Sequence, residues 1–215
     1  MKFSDRLYQK VRYLWKETSN KPFLIEMAKG TLDEARFKNY ILQDYLYLLE
    51  YIDIISYISN LEDSIHLKDF FDRIMTETRN EIYRVHVPNM EKFGISCNNI
   101  KSYRISPVIN EYVEYICRNL YEEGFLACLT ALLQCSWIYA YIGETLTKKY
   151  SLEICRSPYK FWFDAYTCLE YLEVNRMWID IFDNEVADIG IKEKDKLCRI
   201  FETCARYENK FWNIF

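Results

Sequence analysis

Apolar residues recur at helical spacing along nearly the whole chain. Leu7, Val11, Leu14 and Trp15 form one stripe of a first helix, expected to be capped by Ser4 and to run to about Thr18. Asn20 and Pro22 open a short second helix, which Lys29-Gly30 stops. Thr31-Leu-Asp-Glu34 matches a capping box at the head of a long helix through about Ser59. A further helix is predicted over about Asp63 to Val87, where Pro88, lacking an N–H, should end or kink it. The polar, Asn-rich stretch from Phe93 to Ile105 reads as a surface loop.

Ser106-Pro107 restarts helix as cap and first-turn proline, and that helix stops near Glu123-Gly124. A strongly apolar helix follows from about Phe125 to Lys148. Ser157-Pro158 repeats the cap-and-proline signal ahead of Phe161, Trp162 and Tyr166, with a break near Thr167. The run EYLEVNRMWIDIFDNEV alternates less cleanly, yet no Gly or Pro interrupts it and helix is again predicted. Gly190 separates it from a last helix, Lys192 to about Asn213. Only 5 Gly and 4 Pro punctuate 215 residues, which favours long helices over a many-turned sheet protein, and no linker-like stretch divides the chain. The expectation is a single all-α domain, residues 1–215.

Composition narrows the function. The net charge of −4 comes from interspersed acids and bases, which leaves no basic footprint for a nucleic acid. The charged opening MKFSDRLYQKVRYLWKE fits neither a secretory signal nor a membrane span, so a cytoplasmic protein with no membrane partner is expected. Eight cysteines lie scattered at 97, 117, 128, 135, 155, 168, 198 and 204 without CxxC spacing and are expected to be reduced. Two histidines are too few for zinc sites of the usual kind, and the single Asp63-x-x-His66 lacks the second copy that a di-iron bundle needs, so no metal is expected. Nineteen tyrosines among 17% aromatics is a high share, and any surplus over packing need would suit a pocket for a flat polar ring.

Three helices carry reactive groups in aromatic company. In LLQCSWIYAYIGE, Leu132 to Glu144, Cys135 and Tyr139 stand four apart and share a face of an otherwise buried helix. Cys135 is either a reactive thiol or a small core hydrophobe. Cys128, seven residues earlier, reads as packing. Asp44, Tyr47 and Tyr51 share a face of the long helix, and Asp44 either lies in water at the rim or is buried with a partner. Glu208 and Phe211 stand at i and i+3 beside Tyr207 and Trp212, surroundings that resist ionisation and raise a carboxyl toward general-acid range. His86 reads as a satisfied core or helix-end histidine. A thiol, a proton-shuttling acid and a carboxylate able to hold an amino-nitrogen edge would together suit attack on an electron-poor heteroaromatic ring.

The ordered motifs extend over almost the full chain: PFLIEMAKGTLDEARFKNYILQDYLYLLEY at Pro22–Tyr51, SPVINEYVEYI at Ser106–Ile116, LLQCSWIYAYIGE, YTCLEY at Tyr166–Tyr171 and YENKFW at Tyr207–Trp212. In these the chain resembles the TenA, or thiaminase II, family, in its cysteine-containing branch. The resemblance implies a haem oxygenase-like helical bundle without haem or other cofactor, usually a homotetramer. It implies hydrolysis of 4-amino-5-aminomethyl-2-methylpyrimidine to the hydroxymethylpyrimidine in thiamin salvage, and cleavage of thiamin itself. Cys135 then matches the nucleophile, Glu208 the acid/base, and Asp44 the carboxylate on the aminopyrimidine edge. Tyr47, Tyr112, Tyr139, Tyr166 and Phe211 match the aromatic pocket. Two positions depart from the family pattern: Lys21 stands where histidine is common, and Ile82 stands where a glutamate commonly precedes His86 by four residues, with Glu81 one place off. The alternatives are a pyrimidine carrier or sensor without turnover, and a haem-binding helical protein with an axial histidine such as His86.

Overall fold

The computed structural model describes residues 2–215, and among them every regular element is helical. The chain forms two compact units, one of residues up to 32 and from 114 to 214, the other of residues 33–113 with Phe215. The fold is all-α, as the periodicity predicts.

The first unit holds α1 (Phe3–Thr18), α2 (Pro22–Lys29), the end of α6 (Pro107–Glu123), α7 (Phe125–Lys149), α8 (Ser151–Ile154), α9 (Lys160–Thr167), α10 (Leu169–Glu185) and α11 (Ile191–Phe211). Its axis is α7, against which α1, α9, α10 and α11 pack. By length and hydropathy α7 could cross a membrane, but 72% of its most apolar window is buried inside the protein, which makes it a core helix. Each fully buried side chain here, such as Leu129, Leu132, Leu133 and Ile142, contributes roughly 1.5–3 kcal/mol by leaving water.

The helix caps depart from expectation in three places. Ser4 does not cap α1: the cap position is Lys2, whose backbone N–H donates to Asp5 at 3.1 Å. Ser4 lies inside the first turn, where its N–H and hydroxyl both donate to the Asp183 carboxylate of α10, at 2.8 and 2.6 Å. An acid from another helix therefore satisfies an N-terminal donor that a local cap would otherwise take. Thr31 yields its capping role to Asp33, which accepts from the N–H groups of Ala35 and Arg36. Ser157 precedes rather than caps α9; its hydroxyl donates to the Met27 carbonyl at 2.7 Å and accepts from Tyr159 N–H. That docking explains Gly30, the left-handed stop of α2 at φ 71°, because a Cβ there would lie 3.1 Å from Pro158 Cδ and 3.2 Å from Ser157 Cα.

The second unit is built on α3 (Glu34–Leu61). Packed against it are α4 (Ile65–Glu81), a π-helical turn (Ile82–His86) and α5 (Val87–Lys92). Pro88 does not stop the helix. It follows the π turn, in which the Val87 N–H bonds to the Ile82 carbonyl five residues back, and the widened winding takes up the ring that would clash in a continuous α-helix. The segment after α5 contains a short 3-10 turn, Cys97–Ser102. Buried Gln43 fixes the end of this segment, donating to the Arg104 carbonyl at 2.9 Å and accepting from Ser106 N–H at 2.7 Å.

Candidate functional site

The residues singled out in sequence fall into two groups, one in each unit. Cys135, Tyr139, Tyr166, Glu208 and Phe211 belong to the first; Asp44, Tyr47 and Tyr112 belong to the second. All eight are buried.

In the first unit, α7 carries Cys135 and Tyr139 one turn apart, and α11, packed on α7, carries Glu208 and Phe211. Cys135 is 7% exposed and Glu208 2%. Tyr139 lies 4.9 Å from Tyr166 of α9 and 5.7 Å from Trp212, centroid to centroid, and Trp212 in turn lies 5.1 Å from Phe211. Trp162 meets Tyr166 at 4.6 Å. Three of the predicted pocket aromatics thus join one continuous ring cluster, which supplies flat apolar surface with hydroxyl tips. Close approach of α9 depends on Gly143 of α7: a Cβ there would sit 3.0 Å from Thr167 Cγ2 and 3.2 Å from the Tyr166 carbonyl oxygen. Tyr171 adds a hydroxyl bonded to the Ser136 carbonyl at 3.1 Å.

All eight cysteines are free thiols. Cys128, on the same helix as Cys135, has its thiol pushed up to about 12, by burial first and by neighbouring Cys117 second. A thiol so hard to ionise, wholly buried, suits packing better than attack or redox exchange.

In the second unit, Tyr47 and Tyr112 stack at 5.7 Å with ring planes 13° apart. One turn before Tyr47, Asp44 is only 2% exposed, which removes the reading that places it in water at a rim. A carboxylate that deep needs donors, and two converge on its Oδ2: the Tyr40 hydroxyl at 3.0 Å and His86 Nε2 at 2.8 Å. His86 is fully buried. Burial is the largest influence on its ring and opposes the charge. The hydrogen bond and charge of Asp44 outweigh it, with help from Glu81, and the imidazole is held above its ordinary 6.5. Glu81 acts on the ring through its charge first and through its backbone second.

His86 is therefore the satisfied buried histidine that its sequence context suggests, but what satisfies it is a candidate site residue 42 positions away, and that partnership was not visible in the sequence. Its Nε2 is engaged by the Asp44 carboxylate. The π turn also explains the departure at Ile82. In an α-helix a glutamate five residues before a histidine lies off its face, whereas i→i+5 winding brings the two onto neighbouring positions. One ligand atom each from Glu81, His86 and Asp44 lies within 4.8 Å of the other two. Such a trio could in principle hold a cation, but the 2.8 Å contact between Nε2 and Oδ2 is that of a direct hydrogen bond. His66 of the lone Asp-x-x-His is exposed.

Comparison with known proteins adds three findings. The model of the TENA/THI-4/PQQC family matches residues 8–214. A Halalkalibacterium halodurans protein named aminopyrimidine aminohydrolase is 28% identical over the whole of this chain and 95% of its own length; proteins of the same name from Helicobacter pylori and Bacillus subtilis are each 26% identical, again over the whole chain, and covered to 98% and 89%. Among solved structures, a TenA homologue from Pyrococcus furiosus superposes with a TM-score of 0.88 at 22% identity, over 99% of this chain and 98% of that one. One from P. horikoshii superposes at 0.86 with 24% identity, over 100% and 98%.

Proposed function

Since the chain belongs to the TENA/THI-4/PQQC family, we propose that it is a hydrolase of thiamin metabolism, an aminopyrimidine aminohydrolase that converts 4-amino-5-aminomethyl-2-methylpyrimidine and water to the 5-hydroxymethyl compound and ammonia, and that also cleaves thiamin at the same methylene. The observation that carries this reading is a thiol and a carboxylic acid, Cys135 and Glu208, both buried on helices that pack together, α7 and α11, beside the ring cluster of Tyr139, Tyr166 and Phe211. Three relatives that match this chain along its whole length are named aminopyrimidine aminohydrolase, which supports the hydrolase part of this reading.

In the proposed reaction the Cys135 thiolate adds to a pyrimidine ring carbon while Glu208 gives its proton to a ring nitrogen, which makes loss of aromaticity feasible. Ring electrons then expel the amine, or the thiazole of thiamin, from the methylene, and the C–N bond breaks. Water adds to the exocyclic methylene so formed, the thiolate leaves, aromaticity returns, and Glu208 recovers a proton. Asp44 holds the amino group and adjacent ring nitrogen through charge-assisted hydrogen bonds. Tyr47, Tyr112, Tyr139, Tyr166 and Phe211 bind the ring by its faces and keep bulk water out. No cofactor takes part. The enzyme works in the cytoplasm, in salvage of degraded thiamin, as a homotetramer.

Replacing the nucleophile is expected to remove at least on the order of 10⁴ in turnover, and Glu208→Gln roughly 10²–10⁴, with helical content unchanged by circular dichroism. Full activity in either variant would refute the assignment of that residue.

A further inference from the structure

Asp44, buried in the protein, is asked to present a carboxylate edge to substrate. Desolvation works against that unless a positive partner is fixed beside it. The structure supplies one. His86 lies wholly inside the protein with Nε2 2.8 Å from Asp44 Oδ2, and the Tyr40 hydroxyl meets the same oxygen at 3.0 Å. Glu81, at the end of α4, brings a carboxylate oxygen within 4.8 Å of both a His86 ring nitrogen and an Asp44 carboxylate oxygen. The groups acting on the ring are thus Asp44 from α3 and Glu81 from the end of α4, both acidic, with neutral Tyr40 sharing the oxygen of Asp44. A positive charge on the imidazole is favoured by both neighbouring carboxylates, which would otherwise repel each other.

We propose that His86, with Glu81 beside it at the π turn, is a positioning residue that holds the Asp44 carboxylate in one plane, one oxygen committed to the imidazole, for the aminopyrimidine edge. This rests on the role given to Asp44 under the proposed function. His86 touches no reacting atom; it acts through Asp44 alone. Two donors on one oxygen remove the rotational freedom of the carboxylate, so the geometry of the acceptor is set before substrate arrives. The π turn is what lets Glu81 reach the ring from five residues away.

The test uses the full-length protein and the variants Asp44→Asn, His86→Gln, His86→Leu and Glu81→Gln. Steady-state kinetics are measured on 4-amino-5-aminomethyl-2-methylpyrimidine, and calorimetric affinity on the hydroxymethyl product, with circular dichroism confirming the fold. His86→Gln keeps a donor but not the charge. It is expected to raise KM and product Kd about tenfold while kcat falls less than about threefold, since a positioning loss acts on binding. His86→Leu, without a donor, is expected to lose more, and Glu81→Gln less, in the same parameters. A structural role alone would lower melting temperature and leave KM in place. If Asp44→Asn loses affinity while His86→Gln and Glu81→Gln bind and turn over like the unaltered protein, this inference fails and the proposed function stands. If Asp44→Asn itself binds normally, the role of Asp44 fails first. Should the His86 variants not fold, Glu81→Gln decides: unchanged KM and Kd overturn the proposal, and a rise in both supports it.

Discussion

Removing the imidazole at position 86 takes the charged partner from a buried carboxylate and leaves it the Tyr40 hydroxyl, so His86→Leu is expected to cost about 3–5 kcal/mol of stability, measured by denaturant unfolding. The same residue gives stability a pH dependence. The folded-state pKa of His86 is raised above 6.5, so its contribution is fully present below about 6.5 and is lost as pH rises through the raised value. Thermal melts between pH 6 and 9 are expected to show this decline, and His86→Gln to lack its share of it. Cys128 presents the opposite case. With its thiol pushed up to about 12, only about 10⁻⁴ of it is thiolate at pH 8. Brief alkylation of the folded protein is expected to label exposed Cys155 and to spare Cys128, as peptide mass spectrometry would show. Asp44 illustrates how far such chemistry can be read beforehand. Its apolar neighbours in sequence posed the choice between water and a partner, but the partner lies on another helix, and no local pattern links residues 44 and 86.

Among the elements, α7 was the most legible, because its apolar run has the length and periodicity of a core helix and its bounds match to one residue. The capping residues were the least legible. Ser4, Thr31 and Ser157 have the right chemistry for caps, and each was displaced by something sequence spacing does not encode: an acid from α10, a better-placed Asp33, and a carbonyl of α2. Pro88 reads in sequence as the end or a kink of its helix; the chain stays helical past it, by way of the π turn. Gly143 gives a test at this scale. Alanine is the better helix former by about 1 kcal/mol, yet its Cβ would press on Thr167 and the Tyr166 backbone. Gly143→Ala is therefore expected to destabilise by roughly 1–3 kcal/mol. It should also weaken binding of the hydroxymethylpyrimidine by shifting Tyr166 against Tyr139. A more stable Gly143→Ala protein with unchanged affinity would show that the close packing of α9 on α7 matters to neither.

For the molecule as a whole, scarcity of Gly and Pro and unbroken 3.6-residue periodicity were enough to read the all-α class, since helices that bury one stripe must pack on one another. The ordered motifs were enough to read the family, because they occur in sequence over nearly the full chain. The division into two compact units was not legible: one of its boundaries falls within α6, where periodicity continues without a break. Sedimentation velocity is expected to find a four-chain species, and a monomer would remove the tetramer from the proposal. The most direct measurement incubates the purified protein with 4-amino-5-aminomethyl-2-methylpyrimidine beside Cys135→Ala and follows ammonia and hydroxymethylpyrimidine together. Equal release of both products by the unaltered protein, with none from the variant, is the expected result. Saturable binding without release from either protein would contradict it, and would make the chain a pyrimidine carrier or sensor with Cys135 as core packing.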